Sequence, residues 1–449
     1  MTDACRHTIR RLALKGLMAA VLLVLLAVVY RYTLYPADLE AHCTLMQRSQ
    51  LPVSEGDDII YLGESSNHAV ADDEPDQRFI SDMLQDLLPG HRVGNLDKDA
   101  CHAGVYYDIM RNIPAQSPVR TAVVTVNIRS FSTEWIYSDL ETALNKERVM
   151  MKKAPALYRR MLLAFKGYTH WSDDERKKIV RNGLKHQSFD PPAGLPYTTA
   201  AQWDRAVAND MWSRGVSQDT IVLATHYVKC FACQVDGDNP RIRDLDRIVR
   251  LCRQRGWHLV LNILPDNEQQ MAELVGPELV ELVRRNGSFV EQRYRAMGVT
   301  VVNNQGIVAD ADFRDRDFPT EHYRQAGRQA IATALAAAIR MFEMMSETNT
   351  LQDKLHENTN YFLRRMKEEG FDCKPSESAI CAVIIYDAAM SQQYAAKMQE
   401  EGIFVTGFYY PVVPKGQARI HVQISAAHEH EHLDKCIEAF KKVRKEIEG

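Results

Sequence analysis

The sequence predicts an α/β protein: a three-layer domain built on a parallel sheet, preceded by one transmembrane helix and followed by a smaller α+β domain. Three observations carry this. From about residue 55 to 345, short β-branched runs alternate with segments of helical periodicity. An apolar stretch without acidic residues stands near the N-terminus, and near residues 345–347 the alternation restarts with a different layout. The 449 residues leave room for two or three domains, and a net charge of −4 gives no reason to expect a nucleic acid partner.

Taken in order, the chain first shows Leu12 to Tyr30, apolar except for Lys15. As a helix these 19 residues span ~29 Å, close to the hydrocarbon thickness of a bilayer. Arg6, Arg10, Arg11 and Lys15 precede the uninterrupted core Gly16–Tyr30, which favours a cytoplasmic N-terminus. A secretory signal peptide shares this layout, but no small-x-small cleavage site follows Val29, so the expectation is an uncleaved anchor over residues 1–36.

Residues 37–345 form the next expected domain. Strands are expected at Asp58–Leu62, Thr121–Asn127, Asp219–Thr225, Trp257–Leu264 and Val299–Val302, because each is a short apolar or β-branched run. Helices are expected at Phe79–Leu88, Pro240–Arg255 and Arg324–Met344, and a charged helical insertion at about 140–215. Residues 346–449 read as helix Glu347–Glu369, strand Ile380–Tyr386, helix Ser391–Glu401, strands Ile403–Thr406 and Arg419–Ile424, and helix Glu431–Ile447. Gly370 and Gly402 sit where helix ends want a left-handed residue. The nine cysteines are not spaced as a disulfide scaffold; the lone pair Cys230 and Cys233 is open to a local disulfide, a redox pair, half a zinc site or incidental thiols.

Candidate chemistry begins at Tyr61-Leu-Gly-Glu-Ser-Ser-Asn67, a strand-to-helix turn that exposes a serine at the carboxyl edge of a parallel sheet. Later come His102-Ala-Gly104, Asn127 and Thr320-Glu-His-Tyr-Arg-Gln-Ala-Gly327. Taken together and in this order they resemble the blocks of the SGNH (GDSL-type) hydrolase superfamily. The resemblance implies Ser65 as nucleophile, His322 as its base, and Gly104 and Asn127 as oxyanion donors. The position three before the histidine, where the family keeps its acid, is Pro319; Asp317 or Glu321 is the expected substitute, a dyad the other option.

A second resemblance rests on Asp353-Lys-Leu-His-Glu-Asn-Thr359, Tyr361-Phe362 and Pro411 to His428. These are similar to the C-terminal domain of the 2-amino-3-ketobutyrate CoA ligase branch of the α-oxoamine synthases, the small domain of a type I pyridoxal-phosphate fold. It implies a substrate-binding role for Arg419 and for position 421, where the family's carboxylate-clamping arginine is replaced by His421. The family's Schiff-base lysine belongs to a large domain that residues before 345 do not resemble. No metal is expected: His428, His430 and His432 do not share one helical face.

The combined expectation is a membrane-anchored SGNH-like serine esterase or O-acyl(acetyl)transferase acting on a cell-envelope polymer or glycan, fused to a catalytically incomplete ligase domain. It needs no cofactor, and the bulk of the chain lies in the periplasm or outside the cell. Its partners are the membrane, an envelope polysaccharide or acyl donor, and an envelope acyltransferase complex. Two alternatives stand beside it. One is a glycine C-acetyltransferase fragment or subunit, with pyridoxal phosphate if a partner supplies the large domain; the other is a non-catalytic anchored scaffold.

Overall fold

The computed structural model describes residues 3–374 and 378–448, with side chains from residue 7 onward. It divides into two compact units, Met1–Ile339 and Arg340–Gly449. The first opens with the helix Asp3–Thr33, of which His7–Thr33 is long and apolar enough to cross a membrane and buries none of its apolar window against protein.

The first unit is built on five parallel strands in the order β2-β1-β3-β4-β5: β1 (Ile59–Leu62), β2 (Val93–Asn95), β3 (Thr121–Val126), β4 (His258–Ile263) and β5 (Thr300–Asn303). Strand alternation splits the core in two. Ile60, Leu62, Ala122, Val124, Leu259 and Leu261 join one cluster with helices Ala103–Asn112, Pro240–Arg255 and Pro277–Arg295. Ile59, Tyr61, Val123 and Val260 join the other, with helices Ile80–Leu87 and Gln325–Glu347. Both faces of a parallel sheet must be covered, and here each face has its own helices. The chain order reverses between β1 and β3, the place where open α/β sheets form a crevice at their carboxyl ends.

One expected strand is a helix. Asp219–Thr225 lies inside Gln218–Phe231, whose first turn is capped by Ser217 Oγ accepting from the Thr220 N–H at 3.3 Å. Ile221, Ala224, Val228 and Phe231 recur at helical spacing and are buried, so tertiary packing outweighs the β-branched composition of the run. Residues 140–215 hold the helices Leu140–Met150, Ala156–Ala164, Asp173–His186 and Ala200–Ser213.

The second unit is an antiparallel sheet in the order β6-β7-β9-β8: β6 (Cys373–Lys374), β7 (Ile380–Tyr386), β8 (Thr406–Phe408) and β9 (Ala418–Gln423). Helices Thr350–Glu368, Ala388–Glu400 and His430–Glu448 close its core around Phe362, Tyr394, Ile420 and Phe440. The expected strand Ile403–Thr406 begins only at Thr406, because the Ile403 N–H is used to close the preceding helix on the Met398 carbonyl at 2.9 Å.

At the end of β1 the chain turns so closely that a side chain on Gly63 has no room: a Cβ there would stand 2.7 Å from Tyr61 Cε1 and 3.2 Å from Asn67 Cβ. Tyr61 is fully buried and cannot swing away. Gly63→Ala is therefore expected to lower stability by roughly 1–3 kcal/mol, read as a lower urea midpoint; an unchanged midpoint would show that the turn yields freely.

Candidate active site

Three elements converge at the carboxyl edge of the first unit's sheet. The turn after β1 starts the short helix Ser65–His68, β3 ends at Asn127, and the segment before helix Gln325–Glu347 carries His322. His322 Nε2 lies 2.9 Å from Ser65 Oγ, and His322 Nδ1 lies 2.6 Å from Asp315 Oδ2. Serine, imidazole and carboxylate thus form an unbroken relay. With its Nδ1–H held by Asp315, the ring presents Nε2 as the base that takes the serine proton. Ser65 has a second acceptor, Glu64 Oε2 at 3.0 Å, and only one proton to give. The neighbouring Ser66 is buried with its Oγ unpartnered, so the nucleophile candidate is Ser65.

The acid differs from both expected residues. Asp315, seven residues before the histidine, fills that role, and Thr320 Oγ1 donates to the same Oδ2 at 2.9 Å. Asp317 is exposed. Glu321 is buried and points away from the imidazole: its Oε2 accepts from Asn127 Nδ2 at 2.7 Å and pairs with the Arg129 guanidinium. Pro319 breaks the family spacing, and the loop before it brings Asp315 back instead.

Gly104 is not where the resemblance put it. Its N–H donates to His102 Nδ1 at 3.1 Å, and a Cβ there would meet Asp244 Oδ2 at 2.5 Å, so it packs beneath helix Pro240–Arg255. His102 is itself enclosed by Arg241 and Glu141; burial first, then the Arg241 charge, push its pKa down to about 4. Asn127 does line the cavity beside Ser65, a space of about 560 Å³ that also meets Lys98, Ala100, Trp135, Leu144 and Phe318. A larger, more open depression of about 830 Å³ beside Glu268, Arg284 and Phe289 holds none of the relay residues.

Two residues escaped the sequence reading. Ala100 lines the cavity with φ +57°, a left-handed conformation that costs a non-glycine residue of order 1 kcal/mol. An alanine gives no sequence signal for it. His68, also on the cavity wall, bridges Asp97 at 2.8 Å and Asp99 at 2.9 Å through its two ring nitrogens. It thereby ties the serine-bearing turn to the loop that carries Ala100. The Asp97 hydrogen bond raises His68 to about 8, against the opposing effect of burial. Burial alone would raise Asp97, but the hydrogen bonds from His68 and Asn67 outweigh it and hold the carboxyl at about 2.

Elsewhere, Cys230 and Cys233 are free thiols, and burial pushes each up to about 12, the reverse of a reactive redox pair. Among the described residues no group of three His, Cys, Asp or Glu side chains is placed to hold a metal. His428 Nδ1 and His432 Nδ1 accept from the Ser425 and Glu429 N–H groups at 3.2 and 3.0 Å, and His430 stacks on Tyr361. On β9, Arg419 Nε donates to His421 Nε2 at 3.0 Å; burial first, then the Arg419 charge, lower the His421 pKa and keep the ring neutral.

Comparison with known proteins bears on the C-terminal part. The family described as aminotransferase class I and II matches residues 298–440. The 2-amino-3-ketobutyrate coenzyme A ligase of Escherichia coli K12 is 43% identical over 113 residues, 25% of this chain and 28% of that protein. The 8-amino-7-oxononanoate synthase of Thermosipho melanesiensis is 44% identical over 112 residues, 25% and 29% of the two chains. The chain therefore spans little more than a quarter of the length of the curated relatives it matches. Among solved structures, Sphingomonas wittichii serine palmitoyltransferase aligns at a TM-score of 0.25 and 12% identity over 90% of this chain and 70% of that one, a score from which nothing about the fold follows.

These matches overturn the expectation of an SGNH-like serine esterase or O-acyltransferase of the cell envelope, and they give the superfamily resemblance no support. They also overturn the expectation that pyridoxal-phosphate chemistry is remote and that no cofactor is involved, and favour the transferase alternative. The described residues do not, however, fit the cofactor. An imine-forming lysine has to be desolvated with a depressed pKa, and among the described residues no lysine is buried. In the second unit Lys397, Lys441 and Lys442 are instead raised by hydrogen bonds to Glu446, Glu438 and Glu401.

Two outcomes follow from this geometry. Fluorophosphonate labelling of Ser65, located by peptide mass spectrometry, should slow by at least about 10²-fold in Asp315→Asn, because an amide no longer fixes the imidazole tautomer, and be unchanged in Asp317→Asn. Equal effects would remove Asp315 from the relay. For His68, a folded pKa of about 8 lies above the ordinary ~6.5. Its stabilisation is thus complete below pH ~6.5 and is lost as pH rises through about 8. His68→Ala should lower stability by about 1 kcal/mol at pH 6, allowing for solvent screening, and by much less at pH 9; a pH-independent difference would remove the bridge as its cause.

Proposed function

We propose that residues 340–449 serve as the C-terminal domain of a pyridoxal-phosphate-dependent acyltransferase of the α-oxoamine synthase kind, working as a subunit with a partner that supplies the cofactor lysine. The observation that carries this is 43% identity over 113 residues to an aminoketobutyrate ligase. Two features support it. Phe404 is 88% exposed, Val412 70% and Tyr410 58%, large apolar side chains that a neighbouring domain would cover. Arg419, oriented by neutral His421, is the group left to meet a substrate carboxylate in place of the family's clamp. The pyridoxal phosphate would bring its electron-sink chemistry with the partner; this chain's share is to bind and orient substrate.

The helix His7–Thr33 is proposed as a single-pass anchor, its N-terminus kept in the cytoplasm by Arg10, Arg11 and Lys15.

One geometric observation favours a second reading for the first unit: the unbroken relay from Asp315 through His322 to Ser65. In it Ser65 is a nucleophile able to accept an acyl group, His322 its general base, Asp315 the orienting acid and Asn127 a donor to the developing oxyanion. The envelope polymer and the hydrolase family form no part of this reading.

The subunit reading is tested by mixing the full chain with an Escherichia coli aminoketobutyrate ligase shortened by its C-terminal quarter. The shortened ligase alone should lack activity and the visible absorbance of bound pyridoxal phosphate; adding the full chain should restore both. If neither returns while the ligase's own missing segment restores them, the second unit does not act as that domain.

A further inference from the structure

Beneath the serine, four buried polar groups meet at the ends of β3 and β4. Glu321 Oε2 accepts from Asn127 Nδ2 at 2.7 Å and from Arg129 Nη2. Arg129 also donates through Nη1 to the Pro319 carbonyl, and its guanidinium lies 4.1 Å from the centre of the Trp135 ring. Asp266 faces Glu321 from the end of β4, fully enclosed. Burial raises both carboxyls, Asp266 well above the carboxylate range with Glu321 reinforcing it, while the Arg129 charge pulls Glu321 back down.

An asparagine amide is two-faced, with a carbonyl on one side and two N–H groups on the other. Left alone, Asn127 would present either face to the cavity. Arg129 can only donate, so the Oε2 that takes its N–H is an acceptor, and the same Oε2 turns the N–H side of the Asn127 amide toward Glu321. One N–H goes to Glu321, which leaves the second unspent on a residue that lines the cavity with Ser65. Arg129 holds Glu321 in place and, through Pro319, pins the segment that carries His322. We infer that Glu321 is a positioning residue: with Arg129 it locks the Asn127 amide as an oxyanion donor and registers it against the His322–Ser65 pair. This rests on the serine reading of the first unit. It gives Glu321 a task different from the triad acid, and it explains why a carboxylate is buried beside the catalytic histidine without touching its ring.

The test is a double-mutant cycle on the full chain, read as the second-order rate of fluorophosphonate labelling at Ser65. Asn127→Ala should slow labelling by roughly 10²-fold, the usual loss for one oxyanion donor. Glu321→Gln should slow it about tenfold or more in the native background and add nothing in the Asn127→Ala background. Glu321→Asp keeps a carboxylate beside Arg129 but draws back the oxygen that Arg129 and the amide share, and should show the same dependence on Asn127; it keeps the test open if the glutamine variant does not fold. Labelling of a folded Glu321 variant at the native rate, or losses that multiply in the double mutant, would overturn the role assigned to Glu321. No label on Ser65 in the native chain would overturn the serine reading, and this inference with it.

Discussion

A guanidinium with almost no solvent contact has to find a carboxylate, and in the first unit that necessity organises everything around the serine. Arg129 follows β3 and Glu321 precedes the last helix of the sheet domain, far apart in sequence, so their pairing clamps two distant segments at one edge. Removing one partner of such a buried pair costs about 3–5 kcal/mol, because the other is left charged and dry. The site geometry is therefore tied to the stability of the fold: the relay and the amide donor are held by groups that the sheet cannot do without.

How much of this was legible follows residue by residue. Ser65 could be read because a parallel strand ending in a glycine-bearing tight turn leaves few places for the next side chain to go. Asn127 could be read because it directly follows a continuous β-branched run, Thr121–Val126, that is buried along its whole length. Asp315 could not: its partnership with His322 comes from a non-repetitive loop, and the chain there has no periodicity to read. Glu321 was legible as a residue and not as a role, since direction toward or away from an imidazole is decided by Arg129, almost two hundred residues earlier. Gly104 shows the opposite failure. Sequence order alone placed it at the oxyanion, while its packing against Asp244 and the His102 ring puts it under a helix.

The misread segment Asp219–Thr225 teaches the same lesson at the level of secondary structure. A run of isoleucine, valine and threonine carries a strand composition, yet its apolar residues also fit a 3.6-residue period, and here burial on one helical face decides. In the second unit composition and period agree, and the layout of helix, strand, helix, two strands and helix was readable from the left-handed glycines Gly370 (φ +78°) and Gly402 (φ +77°) that stop two helices. Two things differ: the edge strand β6 (Cys373–Lys374) was not expected, and β8 runs Thr406–Phe408, its start displaced where a backbone N–H is already engaged in closing a helix.

The two units pose different chemical demands on their surroundings, and this sharpens what the N-terminal helix means. The serine relay proposed for the first unit would need nothing beyond an acyl donor and a hydroxyl or water, since Ser65, His322, Asp315 and Asn127 are all side chains of that unit. The role proposed for the second unit would need a cofactor and a buried lysine, and among the described residues no lysine is buried. If the positive residues before the helix hold the N-terminus in the cytoplasm, one crossing places both units on the far side. There the proposed relay would work unaided, whereas the role proposed for the second unit would require a partner exported with its cofactor already bound. If the helix His7–Thr33 crosses a membrane, its direction thus decides which of the two proposed roles the surroundings permit.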